Sequence, residues 1–288
     1  VEGGRASYRR RHGHEMVAPA TCMVAHPMLA SMLFGVDFGP ETTGVVGRVG
    51  IHTGDRLMVL APRAPGLTVP AGTHLVGRDR PKAVREAFIH EVVSKRRWRI
   101  SADSFFQSGP QAAELLIDVV ASAVADALPT GGVVLDAYAG VGILGGELAR
   151  THGARVVAVE SNRRAVSDAR ANLADLDATV IHGQVADQAR WLKADPPALA
   201  SHRRGPIFDV VVADPARPGL GKAAAAGLAA LGSPRLVLAS CDPASMARDV
   251  ALLATHGYEL TSLTVLDLFP DTFHVETVAR FDLSRWTH

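Results

Sequence analysis

The stretch Leu135-Asp136-Ala137-Tyr138-Ala139-Gly140-Val141-Gly142 reads as a strand opening into a glycine-rich turn, the form of a cofactor-binding turn. Around it, apolar runs alternate with segments of helical period. After Pro129-Thr130-Gly131-Gly132, strands are expected at Val133–Asp136, Arg155–Glu160, Thr179–His182, Val210–Ala213 and Leu236–Ser240. Helices are expected between them, at about Leu144–Thr151, Arg163–Leu173, Lys222–Leu231 and Pro243–His256. Apolar, β-branched strands with helical crossovers imply an α/β fold, a parallel sheet wound on both faces. Two further strands, near Glu259–Leu268 and Val275–Asp282, flank a turn at Pro270-Asp271. So short a link suits an antiparallel hairpin at the sheet edge.

Upstream the character changes. Gln111–Leu128 carries apolar residues at the period of a buried helical face. Before Ser104 the chain reads differently, with a hairpin over Gly44–Pro62 turning at Thr53-Gly54-Asp55 and strands at Ala87–Ser94 and Trp98–Ser101. Residues 1–40 read as irregular, with a basic cluster at Arg9-Arg10-Arg11. The expected division is a small β-rich module over 1–103, a candidate for RNA contact, and a catalytic unit over 104–288.

The 288 residues carry 30 Lys and Arg against 29 Asp and Glu, so no global field announces a polyanionic partner. A nucleic-acid contact would rest on local patches. Arg9 to Arg11, and Arg96, Arg97 and Arg99 around Trp98, are candidates, with a solvated charged surface as the alternative reading. Two cysteines exclude a disulfide scaffold and fit a reducing compartment, so a cytoplasmic location is expected. No run approaches the ~20 apolar residues of a membrane span. The Gly- and Arg-rich start does not read as a signal peptide.

Gly140-Val141-Gly142-Ile143-Leu144-Gly145 also matches the dinucleotide fingerprint, with Glu160 further along. Asp136 argues against that reading. A carboxylate at the strand tip would repel a pyrophosphate, but it suits a cation such as the sulfonium and ammonium of S-adenosylmethionine. Glu160 at the end of the second strand can accept from ribose hydroxyls in either case.

Ligands bind at the carboxyl ends of parallel strands, and Asp136, Asp214 and Cys241 all fall there. Cys241, in Ala239-Ser240-Cys241-Asp242-Pro243, follows a strand and precedes a helix. A helix N-terminus lowers a thiol's pKa, so Cys241 is a candidate nucleophile. Cys22 reads as a small buried hydrophobe. In Asp214-Pro215-Ala216-Arg217 an arginine stands where amino-methyltransferases place an aromatic ring. Arg217 suits a phosphate or a carbonyl oxygen, or a structural salt bridge. Glu276 lies in an apolar strand, where a carboxylate is costly unless used or paired, and is read as a proton acceptor. His274 would share its face, as a substrate contact or a packed imidazole. Phe105 and Phe106 are read as core.

Taken together, five ordered blocks resemble the uracil-5-methyltransferases that modify tRNA and ribosomal RNA. They are Ser104-Phe105-Phe106-Gln107, Asp136–Gly142, Asp214–Leu220, Ser240–Asp249 and Phe269–Thr277. The resemblance runs from about Ser7 to Arg280 and implies a class I methyltransferase fold, Rossmann-like with a seven-stranded sheet. It implies that Gln107, Tyr138, Glu160 and Asp214, with the glycine turn at Gly140 and Gly142, bind S-adenosylmethionine. It implies Cys241 as the nucleophile, Glu276 as the base, and a folded tRNA or rRNA as the substrate of a monomeric enzyme.

The chain departs from the family in several places. Asp-Pro-Ala-Arg replaces Asp-Pro-Pro-Arg, and Ile143 stands where some members carry an asparagine. Some members hold an iron–sulfur cluster on four cysteines. Cys22 resembles the last of these and the other three would precede Val1, so no cluster or other metal is expected on this chain. Cytosine-5 enzymes generally use two cysteines near the site, and Cys22 lies in no such motif. Methylation of another RNA atom, or an inactive RNA-binding member of the fold, are the alternatives.

Overall fold

The computed structural model describes residues 1–10, 13, 15–64, 66–195 and 206–284. It divides into two compact units, Val1–Ser104 and Phe105–His288.

The first unit contains β1 (Tyr8–Arg9), β2 (Met16–Val17), α1 (Pro27–Phe34), β3 (Gly44–Val49), β4 (Arg56–Ala61), β5 (Thr73–Gly77), α2 (Pro81–Glu86), β6 (Phe88–Val93) and β7 (Arg96–Ser101). β3 and β4 form the expected hairpin, and β5 adds to β4 in parallel. Helix α1 falls where irregular chain was expected. Pro27 at its first position and the imidazole of His26, accepting from Met28 N, start it. It packs Met32 into a core with Phe38, Met58 and Leu60. Tertiary burial, rather than periodicity over so short a stretch, supports that helix. Arg11, in the basic cluster, lies outside the described residues.

The second unit runs α3 (Pro110–Val124), β8 (Val133–Ala137), α4 (Ile143–His152), β9 (Arg155–Glu160), α5 (Arg163–Asn172), β10 (Ala178–His182), α6 (Val185–Ala194), β11 (Val210–Ala213), α7 (Gly221–Ala230), β12 (Arg235–Ser240), α8 (Pro243–Ala254), β13 (Tyr258–Leu266) and β14 (Glu276–Leu283). Its seven-stranded sheet has the order β10-β9-β8-β11-β12-β14-β13. The first five strands are parallel, and β14 is antiparallel to both its neighbours. This is the class I methyltransferase arrangement. Helix α6 was not read from the sequence. It buries Val185, Ala189 and Leu192, an i, i+4, i+7 spacing too sparse in apolar residues to stand out.

Two features of this topology position the site. The chain leaves β8 toward β9 and later returns to β8's other side with β11, so a switch point opens at the carboxyl end of β8. The antiparallel β14 then starts, rather than ends, at that same edge. Ser240 pairs with Thr277, so the antiparallel register brings the residue after β12, Cys241, beside the first residue of β14, Glu276. The Thr277 hydroxyl donates to the Ser240 carbonyl at 2.9 Å and pins that corner.

Candidate active site

Strand β8 is wholly buried, so Asp136 is carried into the interior by its apolar neighbours. One carboxylate oxygen, Oδ2, accepts from Gly145 N at 2.8 Å. The other, Oδ1, is buried without a hydrogen-bond partner. Burial pushes the Asp136 carboxyl up to about 7; the Gly145 N–H opposes the shift, and the charges of Asp214 and Glu160 add to it. A Cβ at Gly145 would stand 2.8 Å from Asp136 Oδ2, so glycine is required for this close approach of helix and carboxylate.

The turn after β8 is built on left-handed backbone, with Tyr138 at φ +66°, Gly140 at +55° and Gly142 at +89°. Glycine accepts this freely; at Tyr138 it is strained. Contacts from three sides hold the turn. Gly140 N donates to Glu160 Oε2 at 2.9 Å, Ala139 N to the Val159 carbonyl at 3.0 Å, and Asn172 Nδ2 to the Val141 carbonyl at 2.9 Å. The other Glu160 oxygen accepts from Asn162 N at 2.6 Å, and Asn162 itself caps α5. Burial raises the Tyr138 phenol to about 12, so it remains a hydrogen-bond donor. Asn162 and Asn172 were not singled out in the sequence. Asn162 preceding a helical pattern was a legible cap signal, whereas Asn172 acts through a tertiary contact that no local pattern encodes.

The loop after β11 carries Asp214 and Arg217. Gln107 Nε2 donates to Asp214 Oδ2 at 3.2 Å, joining residues 107 positions apart. Burial raises the Asp214 carboxyl to about 6. The loop is anchored by Asp249, which is buried and accepts from Leu220 N at 2.8 Å and Gly221 N at 3.3 Å, and by the Ser245 hydroxyl on the Arg217 carbonyl at 2.7 Å. Neither anchor had been given a role from the sequence; both are helix residues with no local mark of a contact so distant.

Cys241 is half-buried and lies one residue before Asp242, the true cap of α8, whose carboxylate accepts from Ser245 N at 2.9 Å. This corrects the expectation of a thiol acidified by the helix. Burial pushes the Cys241 thiol up, and the Glu276 charge adds to that. The helix's positive end is already engaged by Asp242. What opposes the shift is the neighbouring Arg217 guanidinium. Glu276 is 3% exposed, with Oε1 unpartnered. Burial first, and then Asp214, raise its carboxyl to about 8. His274 lies before β14 rather than on it, and Arg217 Nη2 reaches its Nδ1 at 3.3 Å.

Phe105 is 67% exposed, contrary to the expected core position, while Phe106 is half-buried. Among the described residues no group of three or more His, Cys, Asp and Glu could hold a metal ion, and no helix is long and apolar enough to cross a membrane.

The seven-stranded sheet with its switch-point turn defines a class I methyltransferase fold, and a cluster of thiol, carboxyl and guanidinium lies at the same edge of that sheet. Comparison with a solved structure shows the same fold. The Pyrococcus abyssi tRNA (uracil-54, C5)-methyltransferase in complex with S-adenosyl-L-homocysteine superposes with a TM-score of 0.61 at 24% identity, over 82% of this chain and 57% of that one. The chain is a relative of proteins named uncharacterized RNA methyltransferase. That of Streptomyces avermitilis is 33% identical over 96% of this chain, and that of Gloeobacter violaceus 39% identical over 74%. The chain spans 64% and 44% of those two relatives' lengths. A family model described as Conserved hypothetical protein 95 matches residues 117–218.

Proposed function

We propose that this chain is the catalytic part of an S-adenosylmethionine-dependent RNA methyltransferase that methylates C5 of uridine through a covalent Cys241 adduct. The observation that carries the reading is the pairing, at the switch-point edge of the sheet, of Cys241 with a buried, partly unpartnered Glu276. The fold and the named relatives support the methyltransferase and RNA parts. The Cys241–Glu276 pair carries the choice of atom.

The turn fits the cofactor on its donor set. The partnerless Asp136 Oδ1 offers an acceptor to a cation, the Tyr138–Gly142 backbone leaves room for close approach, and Glu160 can accept from a ribose diol. Gln107 and Asp214 would line the methionine end. When bound, S-adenosylmethionine supplies an electrophilic methyl group.

C5 of uracil is a weak carbon nucleophile. Cys241 thiolate adds to C6, and the electron pair of the C5–C6 double bond moves to C5 and the C4 oxygen as an enolate. C5 then takes the methyl group. Glu276 removes the remaining C5 proton, the double bond reforms, and the C6–S bond breaks to return the thiolate. Arg217, on the thiol, favours its ionised form. The target base must leave its stack to reach Cys241.

The test is incubation with S-adenosylmethionine and RNA carrying 5-fluorouridine. Fluorine cannot leave as a proton, so the chain is expected to trap itself in an RNA adduct that survives a denaturing gel and maps by mass spectrometry to Cys241. Cofactor binding without any adduct would sink the C5 assignment.

A second expectation concerns pH. Asp136 and Asp214 titrate at about 7 and about 6 in the free chain, and a cation favours their ionised forms. Affinity for S-adenosylmethionine should therefore climb most steeply below pH 6, where both carboxyls ionise, by about tenfold per unit or less between 6 and 7, and level off near 8. Calorimetry in two buffers of different ionisation enthalpy should show proton release on binding. A flat affinity from pH 5.5 to 8 would remove Asp136 from the site. The sign for stability is opposite. These raised carboxyls hold protons in the folded state after the unfolded chain has lost them, so their contribution is fully present below about pH 4 and is lost progressively as pH rises from there through the folded values of about 6 and about 7.

A further inference from the structure

Strands β6 and β7 pair as a two-stranded hairpin with Val93 opposite Arg96, so Ser94 and Lys95 alone make the turn. The register sorts the side chains by face. Ile89, Glu91, Val93, Trp98 and Ile100 lie on the buried face. Arg96 joins them, its guanidinium 5.2 Å from the Trp98 ring centroid. Val92 and Arg97 oppose each other on the other face, with His90 and Arg99 the next pair along. Of the arginines around Trp98, the exposed one is therefore Arg97, two residues from the exposed Lys95 at the tip.

Two observations set this tip apart from an ordinary charged surface. The first is its backbone. Ser94 and Lys95 stand at φ +51° and +64°. A two-residue hairpin turn requires positive φ at both positions, which glycine and asparagine accept and a lysine adopts only under strain. The second is what holds the guanidinium. In this unit Arg10, Arg63 and Arg78 pair with the carboxylates of Glu15, Glu41 and Asp103. Arg97 instead donates from Nη2 to His90 Nδ1 at 2.9 Å. Burial first, and then the Arg97 charge, push the His90 imidazole below its ordinary value. Asp55, with Oδ2 at 3.4 Å from the same nitrogen, pulls the other way and is outweighed. The ring is thus neutral at pH 7 and accepts without cancelling charge. Among the described residues neither Arg97 nor Lys95 forms an ion pair with an acid.

We propose that Lys95 and Arg97, at the tip of the β6–β7 hairpin, bind the phosphate backbone of the RNA substrate. Two cations on an outward, strained turn complement a polyanion, and a guanidinium already oriented by a neutral ring loses little freedom on meeting a phosphate. Such contacts fix the register of the RNA without reading its bases. The proposal rests on the RNA-methyltransferase reading above and adds to it an anchoring surface on the first unit.

The test measures affinity against salt by fluorescence anisotropy, with the full chain and a labelled RNA stem–loop carrying uridines in its loop. The variants are Lys95→Gly and Arg97→Gln, singly and together, with Lys95→Arg as the charge-keeping control. Glycine relieves the turn, so Lys95→Gly should melt at or above the temperature of the unaltered chain. Each single variant should nonetheless bind the RNA about fivefold more weakly near 0.1 M salt, and should lose about 0.7 to 0.9 from the slope of log K against log salt. The double variant should lose about twice that slope, and Lys95→Arg should lose none. All should bind S-adenosylmethionine equally. Equal slopes in the unaltered chain and the double variant overturn the anchor. So does weaker binding at an unchanged slope, which marks a contact other than phosphate. Loss of slope in the variants, with no methylation by the unaltered chain, would strike the proposed reaction and leave the anchor standing. Failure of the unaltered chain to bind RNA overturns both.

Discussion

Replacing Cys241 with alanine should abolish turnover, with a loss on the order of 10⁴-fold or more, and should abolish the 5-fluorouridine adduct with it. The size of the effect follows from the substrate. Without addition at C6 the C5 carbon has too little electron density to take a methyl group, and Cys241 is the thiol that lies beside Glu276 and Arg217. The folded state should be little affected, because the side chain is half-buried and contributes no backbone cap; Asp242 supplies that. Intact S-adenosylmethionine binding in the variant would confirm that only the chemistry is lost. Retained turnover would show that the methyl group reaches its acceptor without a covalent intermediate, and the reaction would then have to be sought at another RNA atom.

Glu276→Gln separates the two halves of the cycle. Glutamine fills the same space and cannot take a proton, so addition and methyl transfer should proceed while elimination stalls. A covalent protein–RNA species should accumulate on unmodified uridine RNA, one methyl group heavier than the sum of its parts. Release of product should fall by roughly 10²- to 10⁴-fold. In the unaltered chain the Glu276 carboxyl, raised to about 8 by burial, is mostly protonated at neutral pH in the free state. Where elimination limits the rate, that rate should therefore rise with pH until about 8. Rapid release of product by Glu276→Gln would remove Glu276 from the role of base.

The seven-stranded α/β sheet was legible because its strands are short apolar runs separated by glycine and proline, and because a buried parallel sheet demands such runs. Val133–Ala137, Val210–Ala213 and Arg235–Ser240 all lie where periodicity put them. Asp136, Asp214 and Cys241 could be placed at the carboxyl edge of the sheet for the same reason: each interrupts or ends an apolar strand. What was not legible depends on contacts between distant segments. Cys241 looked acidic from its place before a helix, but the neighbouring Asp242 caps that helix and burial raises the thiol, and what opposes that shift is Arg217 from another loop. Phe105 reads as core by composition, yet the fold leaves it in water. Asp249 and Ser245, which hold the loop of Arg217 in place, are ordinary polar residues in a helix until the tertiary structure brings that loop to them.

The place of β14 in the sheet has a consequence for how a ribosome-bound chain reaches competence. β14 is the last strand described, yet it lies between β12 and β13 and, among the described residues, supplies the only sheet partner of β13. Until residues 276–283 have emerged, Tyr258–Leu266 has no strand to pair with, and Cys241 stands on an open edge with no carboxylate beside it. Sheet closure and arrival of the Glu276 carboxyl beside Cys241 are therefore one event. A nascent chain halted before this strand would carry the glycine turn and the thiol but would be unable to complete the proposed reaction. The strand order thus makes completion of this sheet and assembly of the Cys241–Glu276 pair a single step.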